Sequence, residues 1–324
     1  MSSRPTNDPN QHLAIESGAP AVTAIGFVGF GEVASRFAAA LHRHSGKLAA
    51  YDVMLDQSAG KNLLQARAAE AQMEFLPLAE MLSRSQIVLS TVTTDVALDA
   101  AKACAAHLND RHVFVDLNAT SPAIKRAIAE AIVPSGAFFV EGAILGAIGV
   151  TGAQTRVLVC GDKGESIAEA LSRLGLNVGF YGTEIGRAST FKLLRSVFSK
   201  GMEALLLESL LAARRAGVGD DVWREIVQTL DERPFTEVGG NWMRTHGSAH
   251  ARRYHEMVQV EALVRELGVE PLLTRATTAF FERSTRLELS KALLNDRPDT
   301  EQVLVALDTL LSETGSGPEA RRRL

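Results

Sequence analysis

The sequence predicts an α/β protein: a doubly wound parallel sheet followed by an all-helical region. Three observations carry this. Apolar strand-like runs alternate with helical patterns from Val22 to about Tyr181. Residues 24–35 pass from a short apolar strand through Gly29-Phe-Gly31 directly into a helix. After Gly182 no convincing strand follows, and the pattern is helical as far as Ser312.

The strands are expected at 22–28, 47–51, 73–75, 86–91, 112–116, 137–140, 155–160 and 178–181. Helical patterns between them cover Glu32–His44, Asn62–Ala71, Pro77–Arg84, Thr94–His107, Ser121–Ile132 and Ser166–Leu174. Strands separated in this way imply parallel pairing through right-handed crossovers. The second half opens with a helix from about Arg187 to Ala216, roughly 45 Å long at the usual rise. Gly217 is its natural C-cap. Further helices are expected at Asp221–Leu230, Ala249–Leu267, Leu272–Ser290 and Asp299–Ser312. Residues 1–20 are polar, lack a signal-peptide core and read as a disordered tail. The expected organisation is that tail, a nucleotide-binding domain over 21–183, a helical domain over 184–312 and a second tail over 313–324.

Composition narrows the function. The chain has 324 residues, enough for about two domains. Its hydrophobic content of 46% and charged content of 22% are those of an ordinary globular protein. A net charge of −4 offers no basic footprint for nucleic acid. No apolar run is long enough to span a bilayer. Cys104 and Cys160 are the only cysteines, too few for a disulfide scaffold and suited to the cytoplasm. The eight histidines are scattered, and no cysteine–histidine cluster has zinc spacing, so no metal site is expected.

Gly29, Gly31 and Ala34 follow the dinucleotide-binding spacing G-x-G-x-x-G/A. The first glycine allows the tight turn, the second lets a pyrophosphate approach the backbone, and the alanine lets the helix lie close to the strand. The phosphates would sit on the backbone of Gly29, Phe30, Gly31, Glu32 and Val33, where free N–H groups and the helix dipole favour anions. Asp52 ends the next strand, 23 residues after Gly29, where an acid accepts hydrogen bonds from the adenosine ribose. No arginine follows at Val53 or Met54 to hold a 2′-phosphate, so NAD is favoured over NADP. The alternative for Asp52 is a solvated acid at a strand end. Thr91, Val92 and Thr93 lie beyond another strand end, placed either to bond the cofactor or to cap a helix. Asn118 is placed to meet the nicotinamide end or the substrate; the alternative is an Asx turn leading into Ser121-Pro122.

On the long helix, Lys192, Arg195, Ser196, Ser199, Lys200 and Glu203 share one face. The remaining faces are so apolar that packing on several sides is expected; the polar stripe then lines either bulk water or, as its place directly after the nucleotide-binding domain favours, a cleft. A lysine there suits alcohol or carbonyl chemistry: partial desolvation brings its pKa toward the working pH, and it can serve as general acid/base. Arg195 can hold a carboxylate with two parallel hydrogen bonds. Tyr254 and His255 belong either to the cleft or, more simply, to a surface helix face.

Together these positions resemble the β-hydroxyacid dehydrogenase family, relatives of 6-phosphogluconate dehydrogenase. The likeness runs from about Ala24 to Leu310. The cofactor motif is Gly26-Phe-Val-Gly29-Phe-Gly31-Glu-Val-Ala34. The family's D-x-S-T-x-x-P is met by Asp116-Leu-Asn118-Ala119-Thr-Ser-Pro122, and its D-A-P-V-S-G-G by Glu141-Gly-Ala-Ile-Leu145-Gly146-Ala147. Its G-x-G-x-x-x-K-x-x-N-N is met by Gly186-Arg-Ala188-Ser-Thr-Phe-Lys192-Leu-Leu-Arg195-Ser196. The resemblance implies a Rossmann-type domain joined by a long helix to a helical domain, a homodimer, Lys192 as catalytic lysine, and Asn118, Arg195, Ser196 and Gly146 as substrate-binding residues. Asn118, Leu145 and the Arg195-Ser196 pair depart from the family's serines and asparagines, so the substrate is not carried over. The expectation is an NAD(P)-dependent oxidoreductase acting on a small hydroxy acid or the matching carbonyl. Decarboxylation of a β-keto product, imine-reductase-like activity and a non-catalytic NAD(H) sensor are the alternatives.

Overall fold

The structure is a computed structural model and describes residues 24–43, 47–56, 62, 64, 66–67, 73–293, 295 and 297–315. The chain forms two compact units that divide between Ser196 and Val197.

The first unit is built on an 8-stranded sheet. Its strands are β1 (Ile25–Val28), β2 (Leu48–Tyr51), β3 (Glu74–Phe75), β4 (Ile87–Ser90), β5 (Val113–Asp116), β6 (Phe138–Leu145), β7 (Arg156–Cys160) and β8 (Val178–Gly182). Their order is β3-β2-β1-β4-β5-β6-β7-β8. The helices are α1 (Glu32–Leu41), α2 (Leu78–Arg84), α3 (Ala97–Ala105), α4 (Pro122–Ile132), α5 (Ile148–Thr151), α6 (Gly164–Arg173) and the first turns of α7 (Arg187–Arg215). β1, β4 and β5 are buried along their whole length, as parallel strands covered on both faces must be. Alternate side chains serve two apolar layers. Phe27, Leu89 and Val115 join Phe37 and Leu41 on one face. Val28, Val88 and Phe114 join Met81 and Ile128 on the other. The strand order reverses between β1 and β4, and the crevice beyond the carboxyl ends of such strands is where ligands bind in open sheets.

Parallel pairing holds except at β6 and β7, which run antiparallel. The connection between them carries only the single turn α5 and a 3-10 turn, too short for the crossover that parallel strands need. The helix expected over Asn62–Ala71 lies largely outside the described residues; 62, 64, 66 and 67 are helical. The expected tail over 1–20 also lies outside them.

The second unit contains the rest of α7, then α8 (Gly219–Asp231), α9 (Phe235–Glu266), α10 (Leu272–Arg286), α11 (Leu289–Ala292) and α12 (Thr300–Gly315). α9 starts well before the expected Ala249. Gly239, Gly240 and Gly247 suggest a loop in the sequence, yet all three are buried within the helix. At Gly247 the reason is packing: a Cβ would lie 3.4 Å from Pro298 and press on Leu293. α10 ends at Arg286 rather than Ser290, because Glu288 takes a left-handed conformation before the short α11. Residues 313–315, expected in the tail, complete α12. Glu208 on α7 accepts hydrogen bonds from the backbone N–H groups of Leu273 and Thr274 and so caps α10 from a distance. No helix among the described residues is long and apolar enough to cross a membrane.

His246 is buried among His250, Phe280 and Phe281, and its Nε2 lies 2.9 Å from Ser284 Oγ. Burial, and after it the neighbouring His250, Arg253 and Arg283, lower its pKa from 6.5 to about 4. Between these values the unfolded chain binds the proton and the folded chain does not, so stability falls as pH drops through this window. Thermal melts from pH 7 to pH 4 should show a falling Tm. The slope should be shallower in His246→Gln.

Candidate active site

The turn after β1 is held from three sides. Gly29 N–H donates to Tyr51 O at 2.8 Å, Thr91 N–H donates to Val28 O at 2.9 Å, and Thr91 Oγ1 donates to Gly29 O at 2.7 Å. Gly29 has φ +82, and a Cβ there would lie 2.8 Å from Val92 Cγ1. Gly31 is the N-cap of α1 and makes no side-chain cap. Among the described residues a Cβ on it would meet nothing within 4 Å, so the helix N-terminus opens on space through which a phosphate can reach the backbone. Ala34 is fully buried against the sheet. Asp52 sits at the end of β2; its Oδ2 accepts from Phe30 N–H at 2.7 Å and its Oδ1 from Met54 N–H at 2.8 Å. A cavity of about 490 Å³ adjoins these residues and takes in Gly29, Phe30, Gly31, Asp52, Thr91 and Thr93. Val92 lines it too, while the side chain of Glu32 lies beside Gly149 instead. The open N-cap, the acid at the end of β2 and the cavity fit a dinucleotide.

Gly31→Val tests this cradle. With φ at −78 the backbone suits any residue, so the variant should fold normally. Its affinity for NADH, followed by fluorescence titration, should fall roughly tenfold or more, because the side chain occupies the approach to the helix N-terminus.

Beyond β5 the side chain of Asn118 does not form an Asx turn. Its Nδ2 donates to Ser90 Oγ at 2.9 Å and to Asp116 Oδ1, while its buried Oδ1 has no partner among the described residues. Beneath it lies an ion pair that the sequence reading missed. Lys125 is fully buried; its Nζ donates to Asp116 Oδ2 at 2.7 Å, to Asp116 O at 2.8 Å and to Gly142 O at 3.1 Å. The signal was available, since Lys125 shares the buried stripe of α4 with Ile128 and Ile132. Ser121 and Pro122 start α4 as an N-cap and first-turn proline.

Glu141 on β6 is also fully buried, and its two carboxylate oxygens accept from the backbone N–H groups of Gly186 and Ser189. It therefore caps the start of α7 and ties it to the sheet. Lys192 follows Ser189 by one turn and is half-buried. Ser196 Oγ donates to Lys192 O at 2.8 Å, and Arg195 is exposed. The apolar faces of α7 are not all covered among the described residues: Leu194, Val197 and Phe198 are 67%, 72% and 56% exposed. Gly146 lies exposed in the β6–β7 connection, Tyr254 is half-buried, and His255 is exposed on α9. No metal-binding group of histidine, cysteine, aspartate or glutamate occurs among the described residues.

Residues 24–182 match the model of the NAD binding domain of 6-phosphogluconate dehydrogenase, and residues 213–284 match a domain of unknown function, DUF1932. A conserved protein of unknown function, MTH1747, described as structurally similar to 3-hydroxyacid dehydrogenases, is 31% identical. The match covers 82% of this chain and 99% of that one, with a TM-score of 0.55. The mitochondrial 3-hydroxyisobutyrate dehydrogenase of Drosophila melanogaster is 25% identical over 63% of each chain. A reductive aminase from Aspergillus terreus, solved with NADPH and ethyl-5-oxohexanoate, has the same fold at a TM-score of 0.69. It is 16% identical, over 89% of this chain and 99% of that one.

Proposed function

We propose that this chain, which belongs to the 3-hydroxyacid dehydrogenase-like family joining the NAD-binding domain of 6-phosphogluconate dehydrogenase to a DUF1932 domain, is an NAD(P)-dependent oxidoreductase acting on a small hydroxy acid or its carbonyl partner. The observation that carries this reading is the placement of Lys192, one turn past the Glu141 cap and in the same unit as the dinucleotide turn.

The backbone of Gly29 to Val33 would hold the pyrophosphate, Asp52 the adenosine ribose, and Thr91 to Thr93 the middle of the cofactor. Asp52 favours NAD, since a carboxylate at the ribose repels a 2′-phosphate. The nicotinamide supplies the hydride acceptor or donor when bound. Lys192 takes the hydroxyl proton when an alcohol is oxidised and returns a proton to oxygen when a carbonyl is reduced. Arg195 pairs with the substrate carboxylate through its planar fork. Ser196 has committed its proton to Lys192 O, and Asn118 has committed its amide to Ser90 and Asp116. Both therefore serve the ligand as acceptors, and the unpartnered Oδ1 of Asn118 suits a substrate hydroxyl or the nicotinamide amide. Gly146 leaves room beside the substrate.

A second copy of the chain is proposed to cover the exposed apolar residues of α7, an extent of apolar surface that monomers rarely leave to water. Light scattering in line with size exclusion should give twice the chain mass. A monomer at micromolar concentration contradicts the dimer. A cytoplasmic location agrees with Cys104 and Cys160, which are free and buried, their thiols pushed up by burial to about 12 and about 11.

The test of function is a panel of hydroxy acids and matching aldehydes and ketones, with NAD and NADP, followed at the NADH absorbance. Turnover of at least one hydroxy acid or carbonyl is expected. Tight NADH binding without turnover across the panel would identify a sensor instead.

A further inference from the structure

The cavity beside the dinucleotide turn is walled by apolar side chains, among them Met54, Leu64, Leu78 and Val96. Three charged residues line it, Asp52, Arg67 and Asp99, and Asp99 lies 3.8 Å from Lys102 on its own helix. Asp52 is committed at both oxygens to backbone N–H groups of its own neighbourhood. Arg67 is half-buried, and among the described residues no carboxylate pairs with it. It is helical and lies three residues after Leu64, so both present one helix face to the cavity. A planar cation and a leucine from one helix face, in a lining that also holds Val92, Val96, Ala100 and Ala103, suit a flat aromatic ring better than a phosphate. A phosphate at this end would also meet the Asp52 carboxylate.

We propose that Arg67 lies over the adenine ring of the bound dinucleotide and holds it by a cation over the ring face. This rests on the dinucleotide reading above and adds to it a residue that fixes the adenosine half without using a 2′-phosphate. Nothing in the spacing of the glycine motif points to position 67.

The full chain is titrated with NADH, reduced nicotinamide mononucleotide, 5′-AMP and 2′,5′-ADP, using wild type, Arg67→Ala and Arg67→Lys. Circular dichroism checks that each variant folds. Arg67→Ala should weaken NADH and 5′-AMP by about 5- to 30-fold. It should leave the mononucleotide, which has no adenine, unchanged. Arg67→Lys should recover little, because an ammonium lacks the planar face. Affinities for NADH and 5′-AMP within twofold of wild type in Arg67→Ala would overturn the inference. So would selective loss of 2′,5′-ADP restored by Arg67→Lys, which would mark a phosphate contact. Wild-type protein that binds no NADH at all sinks the dinucleotide reading itself. Binding that survives Arg67→Ala but fails in Gly31→Val sinks only the role of Arg67.

Discussion

Replacing Lys192 by alanine is expected to lower kcat on any substrate found by the panel by about two to four orders of magnitude, the range that a positioned acid/base contributes. NADH affinity should stay within about twofold of wild type, because the cofactor contacts assigned to Gly29–Val33 and Asp52 do not involve α7. The combination is diagnostic. A structural lesson from the same substitution would disturb both quantities, and a residue remote from the chemistry would disturb neither. Exogenous methylamine should restore part of the rate, since a small amine can carry the missing proton. Wild-type turnover in Lys192→Ala would require another acid/base, and no other residue of the α7 face is placed next to the capped first turn.

The second large effect is on stability. Lys125→Met is expected to cost about 3–5 kcal/mol, the usual penalty for leaving one member of a buried ion pair without its partner. Asp116 would keep its charge with only the Asn118 amide to meet it, and the carbonyls of Asp116 and Gly142 would each lose a donor. Pairing the change with Asp116→Asn should recover a good part of the loss, because no buried charge then remains unmatched. Urea unfolding of the two single variants and the double variant measures the coupling. A loss under about 1 kcal/mol for Lys125→Met would mean that water reaches the pair. The same substitution loosens the anchor beneath Asn118, so any bound substrate should weaken as well.

Much of this molecule is legible in its sequence, and the exceptions have physical causes. The alternation of apolar runs and helical patterns marks the eight strands of the described sheet, most plainly β1, β4 and β5, which are buried along their whole length and therefore mostly apolar. The direction of β7 is not marked by its own residues, which pack like those of a parallel strand; the short connection before it decides the matter. The glycine turn and Asp52 are readable because they are local and closely spaced. The Glu141 cap is not, because it acts on N–H groups 45 and 48 residues further along the chain. The start of α9 is hidden by its glycines, of which Gly247 serves close packing against Leu293 and Pro298 rather than a turn. Lys125 lies between these cases: a lysine on an apolar stripe announces a buried partner but does not name Asp116.

The most direct measurement is a crystal structure of the full chain with NADH and a hydroxy acid. The pyrophosphate should rest on the N–H groups from Gly29 to Val33, with Lys192 Nζ within hydrogen-bond reach of the substrate hydroxyl beside the nicotinamide ring. If the cofactor lies elsewhere, or if the Lys192 amine faces bulk solvent far from that ring, lysine-assisted hydride transfer is not what this site performs.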